Sequence, residues 1–317
     1  MDEVLVTGGA GFIGSHLVDD LMHRGCRVTV VDNLSKGRIG NLEDWVEDSS
    51  FTFVKADLKN QKVVNKAVEH SRLVFHLAAN PEVRVGETCP DVHFKENLRA
   101  TFNILEAMRR SGKARIMVFT STSTVFGEPS VIPTPEEYGP LIPISTYGAT
   151  KLGCEALISS YAYTFGLRGL ILRLANIVGS RADHGVIPDF IRKLEMNPRR
   201  LEILGDGRQE KSYLHIEDCV GAVLRTTELF VKEVERVDLY NVGSTDQVTV
   251  KRIAEIVAEE MGLEGVSFDF TGGVEGGRGW KGDVKEMQLS VEKLCKTGWR
   301  PRYDSEEAVR LAVQSLL

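Results

Sequence analysis

The stretch Val4-Leu5-Val6-Thr7-Gly8-Gly9-Ala10-Gly11-Phe12-Ile13-Gly14 decides how the whole chain is read. Aliphatic, strand-forming residues run directly into a glycine turn, and behind it Phe12, Ile13, Leu17, Val18 and Leu21 recur with helical spacing. Arg27-Val28-Thr29-Val30-Val31 follows as a second strand and ends at Asp32. Strand, glycine turn, helix, strand, acid is the layout of a dinucleotide site. Gly9, Gly11 and Gly14 fit G-x-G-x-x-G, while Gly8, Gly11 and Gly14 fit the looser G-x-x-G-x-x-G. Without Cβ atoms the turn closes and backbone can approach a pyrophosphate. The helix start offers that anion unpaired N–H groups and a positive dipole end. The competing reading is a tight strand–helix turn that binds nothing; the flanking strands and Asp32 weigh against it. A carboxylate ending the second strand accepts hydrogen bonds from ribose hydroxyls and repels a 2′-phosphate, which favours NAD over NADP. Arg38 is near enough to complicate this, and Asp32 could instead cap a turn in Asp-Asn-Leu-Ser.

Strand and helix signals keep alternating through the first half. Phe51-Thr52-Phe53-Val54, Leu73-Val74-Phe75-His76-Leu77, Ile116-Met117-Val118-Phe119-Thr120 and Gly169-Leu170-Ile171-Leu172 read as strands. Val63, Val64, Ala67 and Val68 mark a helix, and a long helical stretch is expected after Pro90, through Phe94, Leu98, Phe102, Leu105 and Met108. Another spans Ser145 to about Phe165. Repeated βα units predict an α/β fold with a doubly wound parallel (Rossmann) sheet, whose functional sites lie at the carboxyl ends of the strands. After Asn176 the elements shorten and turn residues multiply. The expected division is a dinucleotide-binding domain over 1–176 and a smaller, mixed substrate-binding portion over 177–317, with segments around 212–245 returning to the main sheet. The glycine-rich loop from Thr271 to Gly282 is long enough to suggest a function.

Composition narrows the class. The 317 residues are 42% hydrophobic and 26% charged, enough for one large domain or two modest ones. A net charge of −6 without a basic block speaks against nucleic acid as a partner. No apolar run reaches membrane-spanning length, and the N-terminus enters a strand at once, so neither a membrane partner nor a signal peptide is expected. Cys26, Cys89, Cys154, Cys219 and Cys295 are scattered, with no C-x-x-C pair. That suggests no metal site, no disulfide frame and a cytoplasmic setting.

Tyr147-Gly148-Ala149-Thr150-Lys151 places a phenol and an ammonium one helical turn apart on one face. A free phenol, with a pKa of about 10, is a poor base at neutral pH. A nearby cation favours phenolate and can bring it into working range. The hydroxyl cluster Thr120-Ser121-Thr122-Ser123-Thr124 lies at the end of the fifth strand, where one member could relay a proton and the rest would cap a turn.

These motifs together resemble the extended short-chain dehydrogenase/reductases, and among them the UDP-glucose 4-epimerases (UDP-galactose 4-epimerases). The resemblance spans essentially the whole chain. It rests on Thr7–Gly14, Val31-Asp32-Asn33-Leu34-Ser35, Asp57-Leu58, His76-Leu77-Ala78-Ala79, Asn97, Thr124-Val125-Phe126-Gly127 and Tyr147 with Lys151. Further along it rests on Arg173–Asn176, Gly185–Pro188, Gly205-Asp206-Gly207, Tyr240–Gly243, Gly282-Asp283-Val284 and Gly298–Pro301. The resemblance implies a nucleotide-sugar 4-epimerase with bound NAD and transient oxidation at carbon 4. Tyr147 would be the catalytic base and acid and Thr122 the catalytic hydroxyl; Lys151 would bind the nicotinamide ribose and hold the phenol pKa down. Cofactor contacts would fall to Gly8, Gly11, Phe12, Ile13, Gly14, Asp32, Asn33, Ser35, Gly37, Asp57, Leu58, Leu77, Ala78, Ala79, Asn97 and Thr120, besides Tyr147 and Lys151. Substrate contacts would fall to Val83, Thr122, Tyr147, Asn176, Gly185, Val186, Lys211, Tyr213, Arg278, Asp283 and Met287. A homodimer is implied as well.

The sequence departs from the family pattern in places. Phe126 stands where a tyrosine is usual, Lys211 where many relatives carry arginine, and Trp280 where an arginine is often found, so that work would pass to Arg278, two residues earlier. Ser123 and Thr124 follow Thr122, whereas the sugar-nucleotide 4,6-dehydratases carry an Asp-Glu pair there; hydroxyls of ordinary pKa cannot replace it. The alternatives are a UDP-N-acetylhexosamine or UDP-uronate 4-epimerase and, in a different class, a non-catalytic NAD-binding sensor.

Overall fold

The computed structural model describes residues 3–317. The chain begins with β1 (Glu3–Thr7), α1 (Phe12–His23), β2 (Arg27–Asp32), β3 (Phe51–Lys55), α2 (Gln61–Glu69) and β4 (Leu73–His76). Short turns α3 (Val85–Thr88) and α4 (Pro90–His93) lead through a π-helical segment, Phe94–Arg99, into α5 (Ala100–Ser111), β5 (Ile116–Thr122), α6 (Thr146–Phe165) and β6 (Arg168–Leu174). Then come β7 (Asn176–Val178), α7 (Val186–Met196), β8 (Arg200–Ile203), β9 (Glu210–Lys211), β10 (Tyr213–His215), α8 (Ile216–Lys232) and β11 (Val237–Val242). The chain closes with β12 (Val248–Thr249), α9 (Val250–Glu260), β13 (Ser267–Phe270), β14 (Glu286–Met287), α10 (Glu292–Cys295) and α11 (Ser305–Leu316).

Seven strands form one sheet in the order β11-β6-β5-β4-β1-β2-β3. The pairs β1–β2, β1–β4, β2–β3 and β4–β5 are parallel, which is the expected doubly wound Rossmann arrangement. These strands read as nearly unbroken aliphatic runs because both sheet faces are covered; all four residues of β4 are buried. Strand order reverses between β1 and β4, so their carboxyl ends flank the crevice where such sheets bind ligands. No helix among the described residues is long and apolar enough to cross a membrane.

The chain divides into two compact units. The first comprises residues up to Val125, Thr146–Arg173 and Val223–Tyr240; the second comprises Phe126–Ser145, Leu174–Ala222 and Asn241–Leu317. This differs from the expected split at 176. Phe126–Ser145 has no periodic pattern to place it, yet backbone bonds tie it into the second unit: Thr134 N donates to Gln288 O (2.8 Å) and Ser290 N to Thr134 O (2.9 Å). The return to the first unit is also shorter than 212–245, because β10 pairs with β7 inside the second unit. In that unit α7, α9 and α11 surround a separate core of Ile187, Phe190, Leu194, Leu201, Ile253, Val257, Val309 and Val313.

The expected helical stretch after Pro90 runs to Ser111 and includes a π-helical turn, Phe94–Arg99. Asn97, in the π-helical segment, accepts the Asn80 N–H through its side chain (2.8 Å). Its carbonyl takes the Thr101 hydroxyl (2.8 Å). Such one-turn π segments often coincide with functional positions.

Candidate active site

The glycine turn is closed by contacts that leave no room for side chains. Gly8 lies at φ +70°, and a Cβ there would sit 2.7 Å from Ala78 N; one at Gly14 would sit 2.1 Å from Gly8 O. Gly37 packs its loop on the turn, since its Cβ would lie 2.8 Å from Ala10 C, and Arg38 N donates to Ala10 O (2.9 Å). Gly11 begins α1 with extended backbone and no side-chain cap, and no acidic residue enters the first turn. The N–H groups of that turn, including those of Phe12 and Ile13, are therefore those a bound anion can use. Leu77 and Ala78 follow β4 directly, their N–H groups donating to Thr7 O (3.2 Å) and Thr7 Oγ1 (3.4 Å).

Asp32 takes the turn-capping job weighed for it and adds a second one. One oxygen accepts Leu34 N (2.8 Å) and the other Ala10 N (3.1 Å), so the carboxylate caps its own turn and pins the glycine loop. Burial raises its pKa against these two bonds. A carboxylate has about four acceptor positions, so room remains for ribose hydroxyls. Asn33 and Asp57 are joined (3.4 Å), and Ser35 N is turned back onto Asn33 Oδ1 (2.9 Å). Leu58 is buried and Ala79 is half-buried. A rigid glycine cradle, an open helix start and an acid at the end of β2 fit a dinucleotide.

On the same unit, α6 brings Tyr147 and Lys151 against the end of β5. Thr122 hydrogen-bonds the phenol. Its oxygen also meets Thr124 Oγ1 (3.2 Å). The His93 ring stands edge-on to Tyr147 with centroids 5.7 Å apart, and it is anchored by Thr146 Oγ1 (2.8 Å) and Glu82 O (3.1 Å). Burial raises the Tyr147 pKa, and the Thr122 hydroxyl, donating to it, opposes that rise. The expected lowering by Lys151 is not what sets the phenol here. The ammonium is directed into the strand end instead, where Nζ donates to Thr120 O (2.6 Å) and lies 4.5 Å from the centre of the Phe119 ring. Burial pushes that ammonium down to about 8.

The remaining hydroxyls of the cluster hold structure. Thr120 Oγ1 reaches His76 O (3.5 Å), and Ser121 Oγ donates to Glu155. Asn97 bridges the Asn80 backbone and Thr150 Oγ1 (3.4 Å) on α6. His76 is held between Thr7 Oγ1 (2.7 Å) and Thr101 Oγ1 (2.9 Å), and burial pushes it down to about 3. Thr101 gives its proton to Asn97 O, so His76 Nε2–H donates to Thr101 and Nδ1 accepts from Thr7. Sequence reading missed His93, Asn80 and Glu155, which carry no motif of their own.

The second unit gathers most of the expected substrate residues. Half-buried Lys211 on β9 and buried Asp283 form an ion pair (2.6 Å), and Gly279 N donates to the other Asp283 oxygen (3.1 Å). Lys211 also lies 5.8 Å from the Trp280 ring centre. Arg278 donates to Asp283 O (3.0 Å) and pairs with Glu128. Tyr213 is buried, its phenol raised by burial and by Asp283, and Met287 pairs in register with Lys211. Gly185, at φ +98° and exposed, precedes α7, whose first residue, Val186, packs on the core. Asn176 Nδ2 donates to Ser212 O (3.1 Å). Phe126 keeps its aromatic packing, edge-on to Tyr138 at 6.1 Å. Val83 is half-buried in the first unit, away from this group in the sequence. Among the described residues no group of three or more His, Cys, Asp or Glu could hold a metal ion.

Residues 4–243 match the model of the NAD dependent epimerase/dehydratase family. A UDP-glucose 4-epimerase of Halalkalibacterium halodurans is 30% identical over 96% of this chain and 92% of its own length. A solved UDP-galactose 4-epimerase is 47% identical, with a TM-score of 0.88 over 99% of this chain and 98% of that one. A UDP-N-acetylglucosamine 4-epimerase from Methanobrevibacter ruminantium, solved with UDP-N-acetylmuramic acid, is 28% identical with a TM-score of 0.86 over 99% and 98%. With the glycine cradle, Asp32 and the Tyr147–Lys151 helix in place, the chain belongs to the NAD-dependent epimerase/dehydratase family, an extended short-chain dehydrogenase/reductase whose cofactor is NAD.

Proposed function

We propose that this enzyme interconverts UDP-glucose and UDP-galactose. The observation that carries the reading is the Thr122–Tyr147 hydrogen bond one helical turn from Lys151, in the unit that bears the glycine cradle. NAD, when bound, supplies a hydride acceptor for carbon 4 and later a donor to the opposite face of the 4-keto sugar. The chain's residues do the rest. Tyr147 takes the 4-hydroxyl proton, directly or through Thr122, and returns it after the sugar has turned over. Lys151 holds the nicotinamide ribose and keeps positive charge near the phenolate. Lys211, Arg278 and Asp283 belong to the nucleotide diphosphate end, where strong remote binding lets the sugar itself be held loosely.

Ser123 and Thr124 supply no acid–base pair after Thr122, which disfavours dehydration. The second reading is a UDP-N-acetylhexosamine or UDP-uronate 4-epimerase; the resemblance to the Methanobrevibacter enzyme favours the first of these, and the hints within the sequence are Arg84, Met287 and neighbouring loop residues. Both retained catalytic groups, Tyr147 and Lys151, argue against a non-catalytic sensor. We expect a cytoplasmic homodimer. Exposed Phe94, Tyr163 and Phe165, beside half-buried Leu98, Phe102 and Leu157, offer an apolar face on α5, α6 and the segment before them.

The test is a panel of UDP-galactose, UDP-N-acetylglucosamine and UDP-glucuronate, incubated with protein and NAD but no added reductant. UDP-glucose formation from UDP-galactose is expected. Turnover of another member alone moves the assignment to that sugar, and no turnover of any rejects the reading.

A further inference from the structure

Three consecutive turns of one face of α6 grip the end of β5. Tyr147 meets Thr122, Lys151 Nζ donates to Thr120 O (2.6 Å), and Glu155 accepts the Ser121 hydroxyl. Residues four apart share a helix face, so the three grips act in line. Glu155 is also held from β6: Arg173 Nε donates to Oε1 (3.1 Å) and Nη2 to Oε2 (2.8 Å). Both side chains are nearly sealed from solvent, 6% exposed for Glu155 and 5% for Arg173.

A buried ion pair is a poor way to gain stability, because well-packed apolar residues of similar volume often do as well or better. Its place beside a titrating lysine supplies another reason. Lys151 is faced by Tyr147, Cys154 and Glu155 from α6, by neutral His76 from β4, and by the Phe119 ring and Thr120 carbonyl from β5, with Arg173 of β6 behind Glu155. Burial raises the Cys154 pKa, which keeps it a neutral thiol. Glu155 is thus the carboxylate among these groups, and it opposes the loss of the Lys151 proton that burial promotes.

We propose that Glu155 is a positioning residue, whose carboxylate, held by Arg173 and Ser121, keeps the Lys151 ammonium charged and aimed at the end of β5. The inference rests on Tyr147 and Lys151 being the catalytic pair. Replacing Glu155 removes negative charge beside an ammonium, so the Lys151 pKa falls and activity is lost at lower pH on the alkaline side.

The test uses the full chain with ¹³C-labelled lysine, the Lys151 signal being assigned with Lys151→Arg. In Glu155→Gln, the Lys151 titration midpoint and the alkaline limb of turnover are expected to move down together by about one pH unit. Glu155→Asp retains the charge and should hold both near their original values. Should Glu155→Gln fail to fold around an uncompensated guanidinium, the double variant Glu155→Gln/Arg173→Met removes that burden and is expected to keep the lowered midpoint. A midpoint unchanged in whichever of these variants folds overturns the proposal. Wild-type protein without turnover on any nucleotide sugar overturns the proposed function instead, because the NMR midpoint needs no substrate.

Discussion

The candidate groups of the two units are held in opposite ways. In the first unit the reactive side chains rest on neutral partners: Tyr147 on Thr122, Lys151 on the Thr120 carbonyl, His93 on Thr146. In the second unit the cations are already matched by carboxylates, Lys211 by Asp283 and Arg278 by Glu128. Groups on fixed neutral partners are preorganised, and little rearrangement precedes their chemistry. A cation on a carboxylate must exchange that partner before it can hold a phosphate. The contrast predicts that substitutions in the first unit act on kcat and those in the second on KM.

The largest effect should come from Tyr147→Phe. Removing the phenolic oxygen is expected to lower kcat about 10²–10⁴-fold, with NAD content and thermal midpoint close to wild type. Steady-state kinetics beside a nucleotide assay of the purified variant checks it, and a change confined to KM would break the contrast between the units.

Gly14→Ala comes next. Its new Cβ would press on Gly8 O at 2.1 Å, which backbone cannot yield cheaply. Destabilisation of about 2 kcal/mol is expected, together with loss of retained NAD. Thermal unfolding and the 260 nm absorbance of the purified protein report on the two effects separately.

In the second unit, Arg278→Ala should raise KM for the nucleotide sugar about tenfold with kcat little changed, whereas Glu128→Gln, which removes the carboxylate from the guanidinium while its bond to Asp283 O remains, should lower KM about twofold. If both variants weaken binding, Glu128 is a support for Arg278 rather than a competitor of phosphate.

The smallest effect concerns pH. His76 is pushed down to about 3 in the folded protein, against about 6.5 for an ordinary imidazole. The unfolded chain therefore binds the extra proton first, so this group's contribution to stability is present above about 6.5 and is lost as pH falls towards 3. The thermal midpoint should decline across that window, and His76→Asn should flatten part of the decline.

Much of this was legible in the sequence for physical reasons. Strands covered on both faces must be almost wholly apolar, so β1, β2, β4 and β5 stood out, and the glycines at 8 and 14 were readable because side chains cannot fit there. Tyr147 and Lys151 were legible as an i, i+4 pair. What escaped was set by tertiary contacts. Nothing in Phe126–Ser145 announces that Thr134 will pair with residues 288–290. The π-helical turn at Asn97 carries a contact to Asn80, 17 positions away, that no local pattern announces. Glu155 carries no motif, and only the folded structure closes Arg173 and Ser121 around it. The i, i+4 spacing of Tyr147 and Lys151 gives a shared helix face but not the direction of the ammonium, which turns to Thr120 O.

In the proposed reaction Tyr147 moves the 4-hydroxyl proton, and NAD, when bound, would supply both the acceptor and the donor for a single carbon-4 hydride. The most direct measurement is incubation of the purified protein with UDP-galactose deuterated at carbon 4, with no added reductant, followed by mass and NMR analysis of the product. The account predicts UDP-glucose that retains the deuterium at carbon 4. Product carrying solvent hydrogen there, or no product at all, would contradict it.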